Sequence, residues 1–179
     1  AALALRVLHE CAHAVVANRF SVRVDEVGIL WILMLPLPYV DVSKSWQRNR
    51  RRERIMIAAA GMLAEMVVAS LAVIVFDRST SPETRHVAAT IALTASMVTL
   101  LFNANVLMRF DGYHMLVDLT GQPNLYTNAS AYWNGLATRV LLGTRSRHAT
   151  PPPGWLGLFF RVYGLGVLIW RVIVLCSLL

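Results

Sequence analysis

The chain has 179 residues, 56% hydrophobic and only 15% charged, with a formal net charge of +7. A soluble domain carries about a quarter charged residues, so this composition points to a membrane protein. The basic residues gather in short segments between apolar runs instead of coating a surface, which argues against nucleic acid and for a lipid bilayer as the environment.

Residues 1–20 form a helix-forming run, apolar apart from Arg6, Asn18, Arg19 and the motif His9-Glu10-Cys11-Ala12-His13. The run is short for a full span of roughly 20 residues and has no initiator Met, so the chain is expected to be a piece of something longer. Residues 21–46 read as a hairpin or extended loop at the membrane face. Val22-Arg23-Val24-Asp25 alternates, Gly28 interrupts, and Pro36 and Pro38 exclude a helix. Residues 44–54 are the densest positive cluster, a collar facing water or lipid headgroups. Two spans follow, 55–76 with one charge at Glu65, and 87–108 ending in Asn103, Asn105 and Arg109-Phe110-Asp111-Gly112. Residues 121–154 read as a loop closed by Pro151-Pro152-Pro153-Gly154, and 155–179 as a last span bearing Arg161 and Arg171. The fold expected is an all-α integral membrane protein of about four transmembrane helices with a short membrane-associated β-hairpin.

Residues 19–54 hold eight Lys/Arg and residues 109–154 hold four, against two in the turn at 77–85. The positive-inside tendency puts the first two segments in the cytoplasm. The motif helix then meets Asp111 at one depth. Trp31, Trp46, Trp133 and Trp155 suit an interfacial belt.

The pattern H-E-x-x-H places His9 and His13 just over one helical turn apart on one face, where two imidazoles can take adjacent corners of a tetrahedral zinc. Glu10, about 100° round the helix, is set to act on a metal-bound water. Two core histidines are the plainer account of the same pattern. A catalytic zinc usually has three protein ligands plus water. Asp111, which ends a span and precedes a glycine, is the carboxylate that suits the third place; a solvent-facing helix-terminal Asp is the alternative. Glu65 either lines a site or bonds neighbouring helices, and His114, three residues beyond Asp111, reads as a loop residue facing water, with an outer-shell partner of the site as the alternative.

His9-Glu10-Cys11-Ala12-His13, together with Phe102-Asn103-Ala104-Asn105-Val106-Leu107-Met108-Arg109-Phe110-Asp111-Gly112-Tyr113, resembles the site-2 protease family of intramembrane zinc metalloproteases. The likeness is closest to a bacterial branch whose second motif reads N-x-N-P-L-x-R-x-D-G-Y. Val106 stands where that branch commonly has Pro, a change that bears on the helix break before Asp111. The resemblance covers residues 1–120 as the catalytic core, with 121–154 as a cytoplasmic loop and 155–179 as a C-terminal span. It implies one zinc per chain held by His9, His13 and Asp111, Glu10 as general base, and Asn103 beside the substrate carbonyl or its oxyanion. It implies an endopeptidase acting on membrane-spanning or peptide substrates, in a bacterial inner membrane with the site toward the cytoplasm. An exposed strand edge in residues 21–43 would hold the unwound substrate by strand addition. The rival reading is a catalytically silent, protease-like scaffold that binds a partner membrane subunit. An ion pathway through Glu65 and Asp111 leaves the histidine pair unexplained.

Overall fold

The computed structural model describes residues 2–32, 35–47, 50–143 and 153–177. The chain divides into two compact units. The first is Ala1–Val106 with Phe110–Leu119, and the second is Leu107–Arg109 with Thr120–Leu179.

In the first unit, helix α1 (Ala2–Arg19) leads into an antiparallel hairpin, β1 (Val27–Ile32) and β2 (Leu35–Val40). The strands begin after the alternating Val22–Asp25 stretch, at the apolar run behind Glu26. The ladder's phase is set by Asp41 N–H, which donates to Glu26 O at 2.9 Å. Hydrogen-bonded pairs alternate with non-bonded ones, so Ile29↔Pro38 and Trp31↔Pro36 fall on the non-bonded pairs, where a missing N–H costs nothing. Both prolines therefore turn their backbone toward the outer edge of β2. Val40, two residues on, turns its N–H the same way.

Helix α2 (Arg51–Arg78) and helix α3 (Pro82–Val98) complete this unit. The collar arginines enter α2 as its first turn, so the helix starts before the apolar run. Ser81 caps α3 by accepting from Thr84 N–H, and Pro82 sits in the first turn, where no backbone donor is needed. The three helices approach through small residues: Ala60, Gly61 and Ala72 of α2, and Ala88, Ala92 and Ala95 of α3, are buried. Large side chains such as Leu63, Val67 and Leu71 point outward, the reverse of a soluble core.

The second expected span stops at Asn103, not Met108. A π-helical turn (Thr99–Asn103) closes it, with Ala104 N–H donating to Thr99 O at 2.7 Å, so the helix breaks without a proline at position 106. Asp111 then opens helix α4 (Asp111–Thr120) instead of ending a span. A Cβ on Gly112 would lie 2.6 Å from Ala104 O, so the glycine serves a close approach of α4 to that backbone.

In the second unit, helix α5 (Leu125–Leu142) occupies most of the stretch expected to be a loop, and packs on helix α6 (Trp155–Ser177). A Cβ on Gly164 would meet the Trp133 ring, and Trp133 Nε1 donates to Arg161 O at 3.0 Å, so Trp133 packs α5 against α6. Trp31 and Trp155 are exposed, whereas the Trp46 side chain and His148, which from the sequence reads as a surface residue, lie outside the described residues.

Among the described residues three helices are long and apolar enough to cross a membrane: α2, α3 with its π turn, and α6. Four were expected. The first helix falls short because its 18 residues carry Arg6, His9, Glu10, His13 and Arg19.

Candidate metal centre

One face of α1 supplies His9 and His13, both buried, at 3% and 6% exposure. Asp111, at the N-terminus of α4, reaches the same point. His9 Nε2 lies 3.0 Å from Asp111 Oδ2, His13 Nε2 lies 3.4 Å from that oxygen, and the two Nε2 atoms are 3.0 Å apart. Three ligands of a tetrahedral zinc at about 2.0–2.1 Å are separated by roughly 3.3 Å, so the triangle has the right size.

Both rings are turned by α2. His13 Nδ1 donates to Ile57 O at 2.7 Å. One turn along, Gly61 leaves the space that the His9 ring occupies, since a Cβ there would collide with it. One turn further, Glu65 Oε1 faces His9 Nδ1 at 3.1 Å. Positions 57, 61 and 65 form one stripe at four-residue spacing. With both Nδ1 protons directed at α2, two Nε2 lone pairs and a carboxylate oxygen converge on one point. Three acceptors aimed at one another are mutually repulsive unless a cation stands between them, so the donor set fits a metal ion. In the metal-free state the rings can instead take protons at Nε2. Burial pushes the Asp111 carboxyl up, but hydrogen bonds from protonated His13 and His9 and their charge then outweigh it and hold it down at about 2. It is therefore anionic at any ordinary pH.

Glu65 is 1% exposed and anchored on its other side. Its Oε2 accepts from Thr99 Oγ1 at 2.5 Å and from Asn103 Nδ2 at 2.9 Å, both in the π turn. Asn103 thus stands behind His9. Its amide Nδ2 donates to Glu65 Oε2 and also lies 3.3 Å from His9 Nδ1. The π turn rotates the last residues of this segment relative to a regular helix.

Glu10 leaves α1 on the other side of the ion position. Its Oε2 accepts from Val40 N–H at 3.1 Å, so the outward edge of β2 holds the carboxylate. Glu10, His13 and Asp111 line a cavity of about 320 Å³, together with His114, Arg54 and Asp118. His114 lies one turn along α4 from Asp111 and borders this cavity, a different place from the water-facing loop expected. Arg54 Nε donates to Asp118 Oδ1 at 2.8 Å, tying the start of α2 to α4 across the cavity floor.

Residues 1–143 match the sequence profile of Peptidase family M50. The chain belongs to peptidase family M50. This is the site-2 protease family, whose members are intramembrane metallopeptidases typically dependent on zinc. An uncharacterized protein of Methanocaldococcus jannaschii is 36% identical over 62 residues, which is 34% of this chain and 17% of that protein. The matched region is thus a small part of that relative's length. No solved structure matches the chain. The M50 match covers the hairpin, α4 and α5 as well as the motif helices, and so extends past residue 120.

Ile57 and Thr99 carry no signal of metal chemistry in the sequence, whereas Gly61 falls in Ala60-Gly61-Met62-Leu63-Ala64-Glu65, a segment that resembles the Ala-Gly-containing second core helix of the family. Their role depends on which helix faces His9. Glu65 stands out as an ionisable group in a span, and its partner was not readable.

Proposed function

We propose that the chain is a zinc-dependent intramembrane endopeptidase, with His9, His13 and Asp111 as ligands and Glu10 as general base. The observation that carries this reading is the convergence of three acceptor atoms within 3.4 Å beside a carboxylate in one cavity. Zinc held there would supply Lewis acidity and lower the pKa of water toward neutrality.

The chain's own residues do the rest. Val40 N–H fixes one oxygen of Glu10, which leaves the other to take a proton from the attacking water and pass it to the leaving amine. Glu65 and the Ile57 carbonyl hold the imidazoles with Nε2 forward, and Asn103 and Thr99 hold Glu65. The substrate helix has to unwind, since a helical peptide bond is hydrogen-bonded and shielded. The β2 edge next to α1 offers the carbonyls of Pro36 and Pro38 but no N–H at those positions, so an unwound substrate would donate to it without reciprocal bonds. Loop charge supports a membrane protein with this site toward the cytoplasm.

The test is a pair of variants in the purified protein. Glu10→Gln should keep zinc at about one per chain and lose peptide-bond cleavage, whereas His13→Ala should lose zinc. A Glu10→Gln protein that still cleaves overturns the assignment. Wild-type protein that binds zinc without cleaving any membrane-protein substrate favours the scaffold reading.

A further inference from the structure

The second unit contains no Asp or Glu at all: residues 107–109 and 120–179 carry six arginines and no carboxylate side chain. Two of those arginines meet on one tyrosine. Arg109 lies over the Tyr126 ring at 4.6 Å to its centroid and Arg171 at 5.3 Å. Arg171 also donates to the Tyr126 hydroxyl through Nε and Nη2, at 3.1 and 2.7 Å, and Arg109 donates to Thr127 Oγ1 at 2.7 Å. Every one of these partners is neutral. Among the described residues neither guanidinium has a carboxylate within ion-pair distance.

Two adjacent like charges repel, and a guanidinium on a membrane span is costly unless something compensates it. Arg171 lies on the span α6, six residues before its end at Ser177 and so about 9 Å from it, within reach of the headgroup layer. The two guanidinium groups and Tyr126 border a cavity of about 550 Å³ whose other walls are apolar, among them Leu107, Trp170 and Leu175. Trp170 Nε1, a donor on that wall, is buried with no hydrogen-bond acceptor among the described residues.

We propose that this cleft binds an anionic phospholipid, with the phosphate between Arg109 and Arg171 and the acyl chains along the Leu107, Trp170 and Leu175 wall. A pair of planar forks suits phosphate oxygens. The apolar wall decides the class of ligand: a free anion would leave it bare, and a hydrated acidic peptide would have to shed water against it, whereas a lipid satisfies both ends. The cleft shares no residue with the metal centre, and the proposal does not rest on the protease reading.

The experiment uses the full chain, purified in detergent and delipidated. Thermal unfolding and native mass spectrometry are followed with phosphatidylglycerol, phosphatidylcholine, oleate or inorganic phosphate added. Phosphatidylglycerol should raise the melting temperature and remain bound to the chain, with the other three markedly weaker. Arg109→Gln and Arg171→Gln should each weaken its retention about fivefold. Equal stabilisation by phosphatidylcholine overturns the proposal, as does full reproduction of the effect by phosphate alone or a retained peptide in place of lipid. Should either variant fail to fold, the comparison of the four additives on the wild-type chain still decides the matter.

Discussion

Glu65 Oε1 stands 3.1 Å from His9 Nδ1, while the other nitrogen of the same ring, Nε2, lies 3.0 Å from Asp111 Oδ2. The imidazole is gripped between a buried carboxylate behind and the ion position in front. A carboxylate so placed fixes the tautomer with its lone pair forward and raises the basicity of that nitrogen.

Replacing this grip should weaken metal binding without touching a ligand. Glu65→Gln keeps the shape and the hydrogen bonds to the π turn in part, and is expected to lower zinc affinity by about 10–100-fold. Competition with a chelator measures it. An affinity equal to wild type means the carboxylate only ties helices together.

Gly61→Ala puts a methyl group into the space of the His9 ring. The ring or α2 must move, at a cost of about 1–3 kcal/mol, and zinc content should fall with stability. Thermal unfolding and metal analysis on the same sample check both. A variant with wild-type zinc content and melting temperature shows that the ring position is not set by α2.

Val40→Pro removes the N–H that holds Glu10 and leaves the β1–β2 ladder intact, since this N–H points out of the hairpin. Turnover is expected to drop roughly tenfold while zinc stoichiometry stays as in wild type. Loss of zinc in this variant would mean that the hairpin supports the ligands, not the base.

Asp118 is 4% exposed at its side chain and Arg54 16%. Removing one partner strands a buried charge, so Arg54→Met should destabilise the chain by about 3 kcal/mol, and Arg54→Met with Asp118→Leu by much less. Additive losses in that pair of measurements would show that the two charges do not depend on each other.

Acid should strip the metal in a defined way. Asp111 is held at about 2 and stays anionic through mild acid, so proton competition falls on the two imidazoles. Burial alone would lower both imidazoles, but Asp111 outweighs it and raises them, His9 to about 9. Zinc affinity should therefore fall as pH drops through about 9 with a slope approaching two protons per ion, and Asp111→Asn should lower affinity without steepening that slope. A slope near one would mean that only one histidine binds.

The local periods of the chain were enough to put His9 and His13 on one helical face, to find the spans around Glu65 and residues 155–179, and to read a hairpin from Pro36 and Pro38. These depend on spacing along a single element, which the backbone geometry of helix and strand converts directly into direction. The tertiary structure alone decided the rest. It made Asp111 the start of a helix, turned residues 125–142 into α5, and moved Asn103 behind His9. It also lined Ile57, Gly61 and Glu65 up behind the two imidazoles. Those placements depend on which faces of separate helices meet and on one π turn, and side-chain periodicity within a helix carries no record of the face its neighbour presents.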